Sequence, residues 1–291
     1  MADLETLKKL EIRDLDEDLR SLDEARLREL FASKRSGRVK LSPLMRNIIW
    51  QAHGQIIEGA EELVEGNLRT FWYSRVKPVL SKLTDDDDLK SDPYYRMLES
   101  FRAMALDHGL VKYADFGFTD EGWEGRRIGT ERPEVLVFTE KMGWIRFLRR
   151  VHGDLGVSTL ALGGAPSALT SEYTATHMLE AMGEEPPEVH LVGIVDWDPA
   201  GAIIAAAFQE QLRLTGLTKT RLSTVVRPAL YTADEMELYK FPLPNTGSEK
   251  TKAEQWLAET GGVNGEAFGL EAESLPMARA RAVVEKLVLR G

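Results

Sequence analysis

Three carboxylates carry the first chemical hint. Glu140 closes the apolar run "VLVFTE", and Asp196 and Asp198 close "LVGIVDWD", one residue apart and just ahead of Pro199. Where such runs lie as neighbouring parallel strands, all three acids reach the same sheet edge. Bare anions in one place raise each other's pKa and destabilise the fold unless a cation neutralises them. Neither motif offers Cys or His, so the donors are all oxygen, which suits a hard ion, Mg²⁺ or Mn²⁺, that keeps waters and meets substrate phosphate. The rival reading is a solvated loop in which Asp198 caps a helix starting near Pro199.

A second group lies upstream, in "EGNLRTFWYSRVKPVL". Arg69 and Tyr73 are four apart and share one face of a helix, with Arg75 and Lys77 close by. A phenol among cations can hold a phosphodiester and steady developing phenolate or phosphorane charge. The alternative is a core tyrosine on an amphipathic helix. Tyr94 and Tyr95, in "SDPYYRML", start a helix with few cations nearby and are expected to pack. His152, His177 and His190 carry no assignment, and Trp123, Trp144 and Trp197 suit either a core or a stack on bases.

The elements that must position these groups fall into two styles. Residues 4 to 30 set leucines among dense charges, from Leu4 to Leu30, at a spacing that forms one apolar stripe on one or two helices. That stripe packs either on its own domain or on a partner. "SKRSGRVK" then reads as a basic linker. Helices are expected at 41 to 65, about 67 to 83 and 92 to 109, split by Gly66 and the turn "TDDDDLKSDP". After Gly109, "LVKYADFGF" alternates in the manner of a strand, and three helices plus a short hairpin make a winged-helix pattern. From Pro133 the chain alternates buried strands with helices, the grammar of a mainly parallel α/β sheet.

Composition narrows the functional classes. With no Cys among 291 residues, a disulfide framework, a thiolate zinc site and a cysteine nucleophile are excluded. No apolar run approaches the ~20 residues needed to cross a bilayer, and the first residues lack a signal-peptide core, so a cytoplasmic, DNA-associated location is expected. A net charge of −10 argues against a nucleic-acid partner until it is resolved along the chain. Residues 1 to 32 carry a net −4, whereas residues 33 to 82 carry a net +5, and that second region could face DNA.

Taken together, an acid at one strand end and Asp-x-Asp at a later one resemble the Toprim domain of topoisomerases, primases and certain nucleases. A winged-helix module with Arg69-x-x-(aromatic)-Tyr73 ahead of it resembles the A subunit of topoisomerase VI and the related transesterase that makes meiotic double-strand breaks. "EKMGWIRFL", "GGAPSALTS", "DWDPAG" and "GLEAESLP" are similar to further family segments in family order, over roughly residues 41 to 276. Trp72 stands where the family often has Tyr, Ser171 where an Arg commonly follows Thr, and the length is closest to the compact Mini-A relatives.

The resemblance implies a helical arm over 1–38, a winged-helix domain over 39–132 and a Toprim domain with a C-terminal extension over 133–291. It implies Tyr73 as nucleophile forming a 5′-phosphotyrosyl bond, Arg69 on the scissile phosphate, and Mg²⁺ or Mn²⁺ on Glu140, Asp196 and Asp198. Arg75, Lys77 and Lys141 would contact double-stranded DNA. A homodimer is implied, because the tyrosine of one protomer meets the metal of the other. No nucleotide-binding loop is evident, so any ATP dependence falls to a GHKL-type ATPase B subunit, with residues 4 to 30 as its candidate docking site. Two other classes stay open: a Toprim nuclease that hydrolyses DNA with water, and a non-catalytic DNA-binding scaffold.

Overall fold

The computed structural model describes residues 4–64, 66–83, 92–120 and 123–289. The chain divides into two compact units, residues 1–120 and 121–291. The division falls ahead of the expected boundary at 132 because Arg126 and Arg127 already pair with Leu160 and Thr159 of the second unit's sheet.

Unit 1 is helical. Two short helices, α1 (Leu4–Lys9) and α2 (Glu24–Phe31), precede the long α3 (Leu41–Ile57). Apolar residues at 41, 44, 45, 48, 49, 52 and 56 form the buried stripe of α3. The expected helix to residue 65 stops at 57, where Gly59 takes a positive φ of 72°. Two amides on α3 hold the segment before α2: Asn47 accepts from Arg13 N at 2.9 Å, and Gln51 accepts from Leu19 N at 2.9 Å. Asn47 also donates to Glu11 O, so each polar group of a buried amide is matched to backbone that would otherwise lack a partner.

Residues 4 to 31 therefore belong to unit 1 and are no separate arm. Leu10, Leu19, Leu22 and Leu27 are buried there, and Leu4 remains exposed. Much of the stripe thus packs on its own unit. The basic stretch after α2 is a closed turn, with Ala32 bridged to Val39 and Gly37 at φ 71°.

The helix expected at 67 to 83 is three pieces: α4 (Leu68–Phe71), a π-helical turn over Trp72–Val76, and α5 (Lys77–Leu80). Asn67 opens it with a capping box that engages Thr70. The helix α6 (Pro93–Arg102) begins at Asp92, whose carboxylate accepts from Tyr94 N and Tyr95 N, and it runs into a second π turn over Ala103–Asp107. The first eight residues of "TDDDDLKSDP" lie outside the described residues.

Among the described residues no hairpin forms where the wing was expected. Residues Ala114–Phe116 form a 3-10 turn, Gly117 follows at φ 69°, and the described segment makes a single bridge, Gly66 to Phe118. Burial explains the misleading alternation: Val111, Tyr113, Phe116 and Phe118 are all core residues, but the turn changes the step between them from two to three. The rings of Tyr113, Phe116 and Phe118 gather around Phe101, with Phe71 edge-on to Phe101 at 5.4 Å and to Phe116 at 5.7 Å. Phe71 is fully buried two residues before Tyr73, so Phe71→Ala is expected to cost about 3 to 5 kcal/mol, measured by urea denaturation.

Unit 2 is the α/β unit. Its strands are β1 (Arg126–Arg127), β2 (Arg132–Thr139), β3 (Val157–Ala161), β4 (Val189–Ile194) and β5 (Thr220–Thr224), in the order β1-β3-β2-β4-β5. Only β1 is antiparallel; β3, β2, β4 and β5 are parallel. Between the parallel strands run α7 (Ile145–Leu155), α8 (Ala168–Met182) and α9 (Pro199–Leu214). The interior of β4 is buried at every position, as expected of a strand covered on both faces.

Alternate residues feed two cores. Val135, Val137 and Ile194 pack with Leu148 and Val151 of α7, while Leu136, Phe138 and Leu191 pack with Met178 of α8 and Phe208 of α9. The helices thus lie on opposite faces, and the chain reverses direction across the sheet between β2 and β4. After β5 come α10 (Ala233–Tyr239), β6 (Lys240–Pro242), α11 (Gly247–Thr260), β7 (Phe268–Leu270) and α12 (Met277–Leu289), with β6 and β7 paired antiparallel. No helix among the described residues is long and apolar enough to cross a membrane.

Candidate active site

The point where a doubly wound sheet reverses opens a crevice at the C-terminal strand ends. Here that point lies between β2 and β4, whose last paired residues are Thr139 and Ile194. Glu140 follows the first directly, and Asp196 and Asp198 follow the second within four residues. Chain topology therefore brings the three expected acids to one crevice.

Each acid is held differently. Asp196 Oδ1 accepts from the backbone N–H of Ala272 at 2.7 Å, and its Oδ2 lies 3.2 Å from Lys141 Nζ. Asp198 caps α9, accepting from Gly201 N at 2.6 Å. The helix cap weighed against a metal role is thus present, and it leaves the second carboxylate oxygen of Asp198 outside that bond. Backbone bonds tie Trp197 to Leu270 in both directions, which seats the β7 end against the Asp-x-Asp turn.

The charges repel as the spacing implied. Glu140 is pushed above its ordinary 4.5 by burial first, then by Asp196, Asp198 and Glu273, with Lys141 opposing. Asp198 is raised above its ordinary 3.8 by burial, against the Gly201 hydrogen bond, with Asp196 adding to the rise. Lys141 loses to burial but gains more from its bond to Asp196 and from Glu271 and Glu273, so its net shift is upward.

Glu140 and Asp198 bind their protons more tightly folded than unfolded. Their part of the stability is full at acid pH and is lost as pH rises through about 4 and on through their raised folded values. Glu140→Gln is therefore expected to raise the melting temperature of the metal-free protein at pH 7 while changing it little at pH 3.5. Thermal denaturation at the two pH values reads this directly.

Lys141, expected to contact DNA, pairs with acids of its own unit. Its ammonium sits within the acid cluster, 3.2 Å from Asp196 and 3.5 Å from Glu273. Glu271 and Glu273 are the members that motif reading did not assign, although "GLEAESLP" contains both. Among the described residues no three such side chains converge as ligands of one ion. The donor chemistry nevertheless fits a hard divalent cation, and a cation already stands among the acids as the Lys141 ammonium.

The other residues of this unit that the sequence singled out, where described, pack or hydrogen-bond within it. Ser171 is fully buried and its hydroxyl donates to Gln211 Oε1 at 2.7 Å. Trp144 is core, and Trp197 packs on Trp256 and donates its indole N–H to Gly262 O at 3.0 Å. The side chain of Trp123 lies outside those described. His152 and His177 bond to backbone carbonyls, and His190, buried beside Arg221, is held down to about 4 mainly by burial.

The tyrosine group belongs to unit 1. Tyr73 is 57% exposed on the π turn, with Lys77 Nζ 5.0 Å from its ring centroid. Arg69 lies instead over Tyr94, at 5.3 Å, and Tyr94 stands edge-on to Trp72 at 5.5 Å. The π turn shifts the phase of the helix after Phe71, so the four-residue spacing no longer has its α-helical meaning. Tyr94 packs as expected but has a cation on its ring; Tyr95 is as exposed as Tyr73. Arg75, expected to contact DNA, is turned inward, paired with Glu61, and depressed by burial and by Arg20.

No protein-family model matches the chain, and no curated protein matches it.

Proposed function

We propose that this chain is a DNA-cleaving transesterase of the type IIB topoisomerase A-subunit kind, built on a helical unit that carries the tyrosine and a Toprim-like unit. The observation that carries this reading is the meeting of Glu140, Asp196 and Asp198 at the reversal point of a parallel sheet. The exposed Tyr73, with Lys77 on its ring, supplies a candidate nucleophile in the other unit.

On this reading Glu140, Asp196 and Asp198 would hold Mg²⁺ or Mn²⁺. A bound divalent ion there supplies charge neutralisation for the phosphodiester and its leaving oxygen. The Tyr73 Oη gives up its proton and attacks phosphorus, forming an Oη–P bond to the 5′ side. The 3′ oxygen leaves and takes a proton, ending as a free 3′-OH. Since the phosphoester count is unchanged, the 3′-OH can attack back and reseal the strand. Arg69 and Lys77 hold phosphate oxygens. A homodimer would let each tyrosine meet the partner's carboxylates, and a GHKL-type ATPase would couple the cycle to ATP.

The test is a denaturing trap. Protein, end-labelled supercoiled DNA, Mg²⁺ or Mn²⁺, ATP and a B-type partner are quenched in SDS and examined for labelled protein. A 5′-linked adduct supports the transesterase. Cleavage without an adduct replaces it with hydrolysis by water, and neither outcome with the partner present replaces it with a DNA-binding scaffold.

A further inference from the structure

Lys141 follows Glu140 directly, yet its side chain reaches across the crevice to two other acids. Its Nζ lies 3.2 Å from Asp196 Oδ2 and 3.5 Å from Glu273 Oε2. Glu273 comes from 132 residues further along the chain, on the short turn Ala272–Ser274 that follows β7. The neighbouring Ala272 N–H bonds the other oxygen of Asp196 at 2.7 Å. Asp196 is thus clamped on one oxygen by backbone and on the other by the ammonium, and an incoming cation must contend for the second.

The Asp196 side chain is mostly buried, with 14% exposed, and that of Lys141 is 28% exposed. In such a setting an ion pair is screened less than on an open surface. We propose that Lys141 is a tethered counter-ion that holds the acid cluster together without a metal and competes with a divalent cation for Asp196. The inference rests on the reading of Glu140, Asp196 and Asp198 as a metal centre. Ion binding would displace the ammonium from Asp196 and leave it on Glu273 or free to meet an anionic substrate.

Two consequences follow from linkage. Removing the ammonium should tighten divalent-ion binding, because the competitor is gone, and it should lower the stability of the metal-free protein, because the acids lose their neutraliser. Lys141→Gln is expected to bind Mn²⁺ about tenfold more tightly than the wild type in calorimetric titration. Its melting temperature in EDTA should fall, and the rise produced by saturating Mn²⁺ should exceed that of the wild type. Lys141→Arg keeps the charge and should stay near the wild type in both readouts.

The failures are separable. A wild type that binds no Mn²⁺ at millimolar concentration overturns the metal-centre reading itself. A wild type that binds, with Lys141→Gln binding equally or more weakly, overturns the counter-ion proposal alone. Should Lys141→Gln fail to fold in EDTA, Glu273→Gln serves instead. It frees the ammonium to pair wholly with Asp196, and unchanged or tighter Mn²⁺ binding in it overturns the proposal.

Discussion

Tyr73→Phe is expected to abolish the SDS-stable DNA adduct, lowering its yield by at least about three orders of magnitude, while folding like the wild type. On the proposed mechanism the loss follows from chemistry, because the variant lacks the phenolic oxygen that would form the ester. The unchanged fold follows from placement, because the ring is 57% exposed and keeps its position beside Lys77 without the hydroxyl. Its stability should lie within about 0.5 kcal/mol of the wild type. Tyr95 is the matched control, equally exposed and on the next helix. Tyr95→Phe should retain the adduct, and Tyr94→Phe should retain it too, since that ring serves Trp72 and Arg69. An adduct that survives Tyr73→Phe and vanishes in Tyr95→Phe moves the nucleophile to α6.

Gly201→Ala is the second large effect, and it does not depend on the reaction. Gly201 is the third residue of α9, and its N–H caps onto Asp198. A Cβ there would fall on the carbonyl oxygen of Asp196, with the carbonyl carbon and amide nitrogen of the same residue each 3.0 Å away. All three are backbone atoms that cannot swing aside, so helix and Asp-x-Asp turn must separate. The cost should be on the order of 2 to 3 kcal/mol, read as a lower urea midpoint at unchanged slope. Because the displaced residue is Asp196, divalent-ion binding should weaken with it. A variant as stable as the wild type would mean that α9 does not press on this turn. At Gly153, where a Cβ meets nothing within 4 Å, the same change should be nearly neutral or favourable.

The α/β unit was legible because its central strands β2, β3 and β4 are largely buried and lead into an acid or a glycine turn. Parallel pairing then leaves little freedom: strand ends after helical crossovers must share an edge, so Glu140, Asp196 and Asp198 follow neighbouring strand ends, although among the described residues no three acids converge as ligands of one ion. Unit 1 was less legible. Its aromatic residues after Gly109 alternate like a strand, yet they form a cluster around Phe101, and the 3-10 turn at Ala114–Phe116 follows from that packing rather than from local preference. The leucine stripe of residues 4 to 30 had two readings in the sequence. Asn47 and Gln51, unremarkable on α3, decide between them by binding the backbone of residues 11 to 19.

The sequence by itself determined the oxygen-only chemistry of the acid edge, the α/β character of residues from 133 onward and the absence of thiol chemistry, because residue type and period are local properties. Only the tertiary structure decided that Lys141 and Glu273 join the acids, that Arg75 is spent on Glu61, and that Arg69 covers Tyr94 instead of Tyr73. The physical reason is common to all three. A charged side chain is long, and its partner is chosen by whichever opposite charge or ring the fold brings within a few ångströms, a distance that no spacing along the chain encodes.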